Sequence, residues 1–134
     1  MSYACIAVIN DDQAIVDMLT DFLQDVGYET IECLAGDGSY DLIRREKPAL
    51  VIIDLQMEHP EAGLHVLEEL RADPTTAGIP VIICSADGRV LQEKAATIQA
   101  LNGEVLEKPF HLDVLQAKIN MLLKLSQNGR SREA

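Results

Sequence analysis

Ala49-Leu50-Val51-Ile52-Ile53-Asp54-Leu55 is the stretch on which the reading of this chain turns. Five apolar residues in a row leave no polar face for water, and they fall far short of the roughly 20 residues a membrane-spanning helix needs. Such a run is a strand covered on both faces, as in the middle of a parallel sheet. Moving outward, the same kind of run recurs. Ala4 to Ile9 reads as strand one. Asp12 to Val26 then reads as a helix with Ile15, Leu19, Phe22 and Val26 toward the core and Asp17, Asp21 and Asp25 on a solvated face. Gly27 stops that helix, Tyr28 to Leu34 is strand two, and Gly36 to Arg45 is a short helix ending before Lys47-Pro48.

Downstream, Gly63 to Ala72 is a helix carrying Leu64, Val66, Leu67 and Leu70, followed by the turn-rich segment Asp73 to Pro80. Val81 to Cys84 is strand four, Arg89 to Leu101 helix four, Glu104 to Leu106 strand five, and helix five follows Pro109. Strand and helix thus alternate along the whole chain, which predicts an α/β domain with a parallel sheet and helices on both faces. Residues 2–125 form the domain. Residues 126–134, with Gly129, Arg130 and Arg132, read as a polar tail or linker stub.

A chain of 134 residues that is 48% hydrophobic is long enough for one domain with a core. Eleven Lys and Arg against 22 Asp and Glu give a net charge of −11, which opposes direct contact with a nucleic-acid backbone. The opening Met1-Ser2-Tyr3-Ala4-Cys5 has neither a basic n-region nor a long apolar run, so the expected location is the cytoplasm. Cys5, Cys33 and Cys84 are odd in number, have no Cys-x-x-Cys spacing, and sit in apolar runs, so they read as core packing. His59, His65 and His111 share no metal or dyad spacing and read as surface residues.

Ligands of an open parallel sheet bind outside the carboxyl ends of its strands. The residues there are Asn10, Asp11 and Asp12 after strand one, Asp54 after strand three, Ser85 after strand four, and Lys108-Pro109 after strand five. Taken singly, each has an ordinary structural reading: Asp11 or Asp12 caps a helix, Ser85 makes a turn, Lys108 is solvated. Taken together, carboxylates, a hydroxyl and an ammonium group on one edge suit a magnesium ion and a phosphoryl group. A carboxylate there can act as a nucleophile toward phosphorus while the hydroxyl and the ammonium stabilise the transferred oxygens.

Four segments, Ile9-Asn10-Asp11-Asp12, Val51-Ile52-Ile53-Asp54-Leu55, Pro80-Val81-Ile82-Ile83-Cys84-Ser85-Ala86 and Glu107-Lys108-Pro109-Phe110, resemble the four signatures of the response-regulator receiver domain, in the family's order and spacing. The resemblance implies a flavodoxin-like, doubly wound sheet of order 2-1-3-4-5 with five helices. It implies a phosphoacceptor at Asp54, magnesium held by Asp11, Asp54 and the main-chain carbonyl of Gln56, a phosphoryl hydrogen bond from Ser85, and a pairing role for Lys108 with a cis bond to Pro109. The phosphoryl donor would be the phosphohistidine of a sensor kinase or phosphotransfer protein. The domain would not be an enzyme beyond its own phosphoacceptance and slow autodephosphorylation. Output would pass to a partner or a second copy through helix four, strand five and helix five, with no membrane. The simplest expectation is a stand-alone receiver, and an excised domain is the other.

Three features depart from the family pattern. Asn10 stands where a second acid is usual, which lowers the expected magnesium affinity unless Asp12 substitutes. The loop from Asp54 to Gly63 is one residue longer than usual, and Val105 replaces the usual aromatic, so the familiar aromatic switch cannot operate there. A dehalogenase-type phosphatase would need an acid where Gln56 stands. A flavodoxin-type carrier would need a phosphate-cradling loop after strand one. The nearer rival is a receiver-like adaptor that binds partners without phosphorylation. Finally, Val114, Ala117, Met121 and Leu125 form a second apolar stripe on helix five beside the core stripe of Leu112, Leu115, Ile119 and Leu122.

Overall fold

The computed structural model describes residues 4–133, with side chains as far as Ser126. Elements alternate without exception: β1 (Cys5–Ile9), α1 (Gln13–Asp25), β2 (Glu29–Cys33), α2 (Ser39–Glu46), β3 (Leu50–Asp54), α3 (Ala62–Ala72), β4 (Val81–Ser85), α4 (Gly88–Ala100), β5 (Glu104–Glu107) and α5 (Leu112–Glu133). All strands pair in parallel in the order β2-β1-β3-β4-β5. This is the doubly wound, flavodoxin-like fold expected from the sequence.

Strand alternation divides the core in two. Ala7, Ile9, Val51, Ile53, Val81 and Ile83 face a layer formed by α2, α3 and α4. Ile6, Val8, Leu50, Ile52, Ile82 and Cys84 face α1 and α5. Because both faces are dry, β3 and β4 can be apolar at every position but the last of each, which is why those runs stand out in the sequence.

The core face of α1 lies one residue from where the periodicity put it. Val16, Leu19, Thr20 and Leu23 are buried, Ile15 and Phe22 are half-buried, and Val26 is exposed. Apolar residues at both 15 and 16, and at both 22 and 23, let the pattern fit either face, and packing on the sheet selects one. The stop at Gly27 is as expected. Its φ is +101°, and the Gly27 and Tyr28 N–H groups donate back to the Gln24 and Leu23 carbonyls, a Schellman closure that favours glycine. By contrast α2 begins at Ser39 instead of Gly36, because residues 36–38 form a turn with Gly38 at φ +83°. Cys84 is buried as expected, whereas Cys5 and Cys33 are only half-buried.

The backbone of α5 continues to Glu133, so no break in the chain marks the expected boundary at 125/126. Met1, Ser2, Tyr3, Ala134 and the side chains of 127–133, including Arg130 and Arg132, lie outside the described residues. Among the described residues no helix is long and apolar enough to cross a membrane.

Candidate functional site

The chain runs from β1 to β2 on one side and then crosses to β3 on the other, so a crevice opens where β1 and β3 end side by side. Asn10 and Asp11 follow β1 there, and Asp54 is the last residue of β3. Ser85 ends β4, next to β3 on the far side, and the Lys108 N–H donates to the Ser85 carbonyl at 2.8 Å, fastening the end of β5 to that of β4. Strands β3 and β4 therefore each extend one residue past the expected boundary, and the site residues Asp54 and Ser85 belong to the rigid sheet.

The central contact is an ion pair. Lys108 Nζ donates to Asp54 Oδ1 at 2.8 Å, with side-chain exposures of 18% and 14%. The Lys108-Pro109 bond is cis, as expected. Burial raises the Asp54 carboxyl above its ordinary value; the Lys108 hydrogen bond and charge oppose this, and the charge of Asp11 adds to the rise. Asp11 thus lies close enough for its charge to act on Asp54, so two carboxylates stand against the one Lys108 ammonium, which pairs with Asp54 alone among the described residues. That excess of negative charge among oxygen donors suits a hard divalent cation. Among the described residues no cluster of three or more metal-ligating side chains occurs, so Asp11, Asp12 and Asp54 do not form one; magnesium takes one or two carboxylates and completes its shell with carbonyl, water and phosphate oxygens. The Gln56 carbonyl has no N–H partner among the described residues and is available as such a donor.

Asp12, named above as a possible metal ligand, makes a capping contact. It is the N-cap of α1, with its side chain accepting the Ala14 N–H at 3.0 Å, and its charge does not figure among the influences on Asp54. Asn10 is 4% exposed, and its Oδ1 accepts the Asp12 N–H at 2.9 Å. The Asn-Asp-Asp run therefore divides into a turn former, a free acid and a cap. Ser85 is buried, and its Oγ accepts the Asp87 N–H at 3.1 Å, which leaves the hydroxyl proton for another acceptor.

Gly63 shapes the other wall. A Cβ there would lie 2.3 Å from the Asp54 carbonyl oxygen, so only glycine lets α3 start this close to the end of β3. Sequence reasoning missed Glu58, whose carboxylate accepts the Gly36 and Asp37 N–H groups across the crevice rim. The extra residue in its loop was the available signal. His59, His65 and His111 are exposed as expected, although the rings of the first two lie 4.7 Å apart. Val105 is half-buried against the α2, α3, α4 layer.

The model of the response regulator receiver domain matches residues 6–120. The chain is a receiver domain. Among curated relatives, the DNA-binding dual master transcriptional regulator RpaA of Synechocystis is 31% identical over 119 residues, 89% of this chain and 48% of that protein. The receiver thus spans about half the length of the curated relatives it matches. NtrX from Brucella abortus superposes with a TM-score of 0.85 at 27% identity, over 98% of this chain and 29% of that one. The receiver domain of a putative Luxo repressor from Vibrio parahaemolyticus has the same fold, with a TM-score of 0.86 at 22% identity over 99% of each chain. Receiver domains are signalling domains of two-component systems and typically use magnesium at the phosphorylation site.

Proposed function

We propose that Asp54 is the phosphoacceptor of this receiver, and the Lys108 to Asp54 pair at the end of the buried central strand is the observation that carries the assignment. A carboxylate oxygen of Asp54 attacks the phosphorus of a phosphohistidine on a sensor kinase or phosphotransfer protein. An O–P bond forms as the N–P bond breaks, and the imidazole nitrogen keeps the electron pair. Lys108 then shifts from carboxylate to phosphoryl oxygen, and the Ser85 hydroxyl donates to another. Asp11, Asp54 and the Gln56 carbonyl are the groups that would hold magnesium. When bound, that ion offsets negative charge on the transferred oxygens.

An adaptor that is never phosphorylated would have no use for a half-buried acid whose pKa is raised by burial while a lysine holds it, so the pair favours the acceptor reading. We assign output to protein contacts in the cytoplasm, with a partner or a second copy. Val114, Met121 and Leu125, exposed by 43%, 43% and 60%, present an apolar stripe beside the α4 and β5 face, and the net charge of −11 opposes a nucleic-acid contact by this domain. Full-length relatives carry further sequence beyond the part that this receiver matches.

Incubation with magnesium and acetyl phosphate, followed by intact-mass measurement, tests the assignment. Wild type is expected to gain one phosphoryl group and Asp54→Ala none. A gain that persists in Asp54→Ala overturns the acceptor, and no gain in wild type favours the adaptor.

A further inference from the structure

The loop between β3 and α3 is pinned on both sides of Gln56. On one side, the Leu55 N–H donates to the Cys84 carbonyl at 2.8 Å and the Leu55 carbonyl accepts the Gly63 N–H at 2.9 Å. On the other, Glu58 reaches across to the turn between β2 and α2, where its two carboxylate oxygens accept the Gly36 N–H at 2.8 Å and the Asp37 N–H at 2.7 Å. Met57 follows the same path and packs against the core beneath. A Cβ on Gly36 would lie 3.2 Å from both Met57 Cε and Glu58 Oε1, so the approach is close on every side.

This contact is stronger than an ordinary loop hydrogen bond. Both bonds are charge-assisted, and the donors are adjacent amides that point the same way. Glu58 touches none of Asp11, Asp54, Ser85 or Lys108 through any hydrogen bond or ion pair among the described residues. Whatever it does for the site it does through the backbone two residues earlier, at Gln56. The extra residue that lengthens this loop supplies the reach.

We propose that Glu58 is a positioning residue, clamping the loop to the Gly36 and Asp37 amides so that the Gln56 carbonyl is held ready for magnesium beside Asp54. The inference rests on the receiver reading above and adds to it a carboxylate that the site motifs do not include.

The test is a magnesium titration of the unphosphorylated protein by calorimetry, with amide hydrogen exchange in parallel. Glu58→Ala is expected to weaken magnesium binding about tenfold, as loss of an outer-shell partner commonly does, and to speed exchange at Gly36 and Asp37. Glu58→Gln keeps one acceptor oxygen without charge and should fall between. Glu61→Gln removes the same charge from the same loop, where it pairs with Lys94 instead of the two amides, and should stay within about twofold of wild type. Urea unfolding of each variant reports whether the fold is intact. Wild-type affinity in Glu58→Ala, or an equal loss in Glu61→Gln, overturns the clamp while leaving the receiver reading in place. A wild type that binds no magnesium overturns both.

Discussion

Two half-buried cations mark opposite edges of the sheet, and the protein treats them differently. At the amino edge, Arg71 in the last turn of α3 donates from Nε to the Leu101 carbonyl at 2.7 Å, from Nη1 to Ala77 at 3.1 Å and Ile79 at 2.7 Å, and from Nη2 to Asn102 at 3.3 Å. Its partners are neutral carbonyls of the segments that lead into β4 and β5. At the carboxyl edge, Lys108 has one partner, Asp54, which also feels Asp11. Arg71 is a finished structure: a planar fork matched to fixed acceptors, with four of its five N–H donors engaged. Lys108 belongs to an unfinished one, where the charges do not cancel and, in the function proposed above, a cation and a phosphoryl group would complete the balance. Of two half-buried cations, the one whose surroundings remain unbalanced is the one we propose as functional.

The comparison breaks most readily at Arg71. Arg71→Met is expected to lower stability by about 2 to 3 kcal/mol, since several charge-assisted bonds are lost and carbonyls are left to find water. Urea unfolding should show a lower midpoint with an unchanged slope. Phosphorylation of the folded variant in the cold should match wild type. Arg71→Lys should recover little, because an ammonium cannot span four carbonyls. A loss of phosphoacceptance at full stability would mean that the amino edge is functional after all.

The legibility of the two edges differs in the same way. Asp54, Ser85 and Lys108 could be found because each follows a run of apolar residues that announces its strand, and because strand ends are where a parallel sheet binds ligands. Arg71 sits in a helix among ordinary charges, and nothing in the spacing reveals that carbonyls up to 31 residues away converge on it. Glu58 was hidden for the same reason, since its partners are main-chain amides 21 and 22 residues earlier, which any sequence supplies. Asp12 was ambiguous in another way. Three polar residues in a row cannot declare which one caps a helix, and the structure gives that task to Asp12. Local composition identified the elements and the strand ends; contacts carried by the backbone were beyond its reach.

A second expectation sharpens the contrast through pH. Burial raises the Asp54 carboxyl above its unfolded value of 3.8, despite Lys108, so ionising it costs stability in the folded state. That cost is absent well below pH 3.8, where the group is protonated in both states, and grows as pH rises through the folded value. Without magnesium, Asp54→Asn should therefore gain stability relative to wild type as pH is raised from about 4 to 7. Magnesium should narrow the gap by stabilising the wild-type carboxylate. Other acids do not disturb the comparison. Asp73, held down to about 2 first by the Tyr40 hydroxyl and then by Thr75, loses its contribution only at much lower pH and equally in both proteins. A flat difference between variant and wild type over this range would show that Lys108 fully compensates Asp54.

The smallest effect concerns the one position at the carboxyl edge where a charge is missing. Asn10 is 4% exposed at the end of β1, and its side-chain oxygen accepts the Asp12 N–H, a bond that a carboxylate can make equally well. Asn10→Asp thus keeps the turn and adds a negative charge beside Asp11. In the absence of magnesium the added charge is buried next to another acid, and the variant should be less stable than wild type. In its presence the same charge attracts the cation, and a Coulomb term of about 1 kcal/mol per unit charge at 4 Å, even in water, corresponds to tightening of several-fold or more. Because a ligand that binds only the folded state stabilises it in proportion to its affinity, the rise in unfolding temperature on adding magnesium should be larger for Asn10→Asp than for wild type. Equal rises would place Asn10 outside the reach of the cation, leaving Asp11 and Asp54 as the only carboxylates it meets. A larger rise would show that the edge is tuned by one amide, with the turn at its base unchanged.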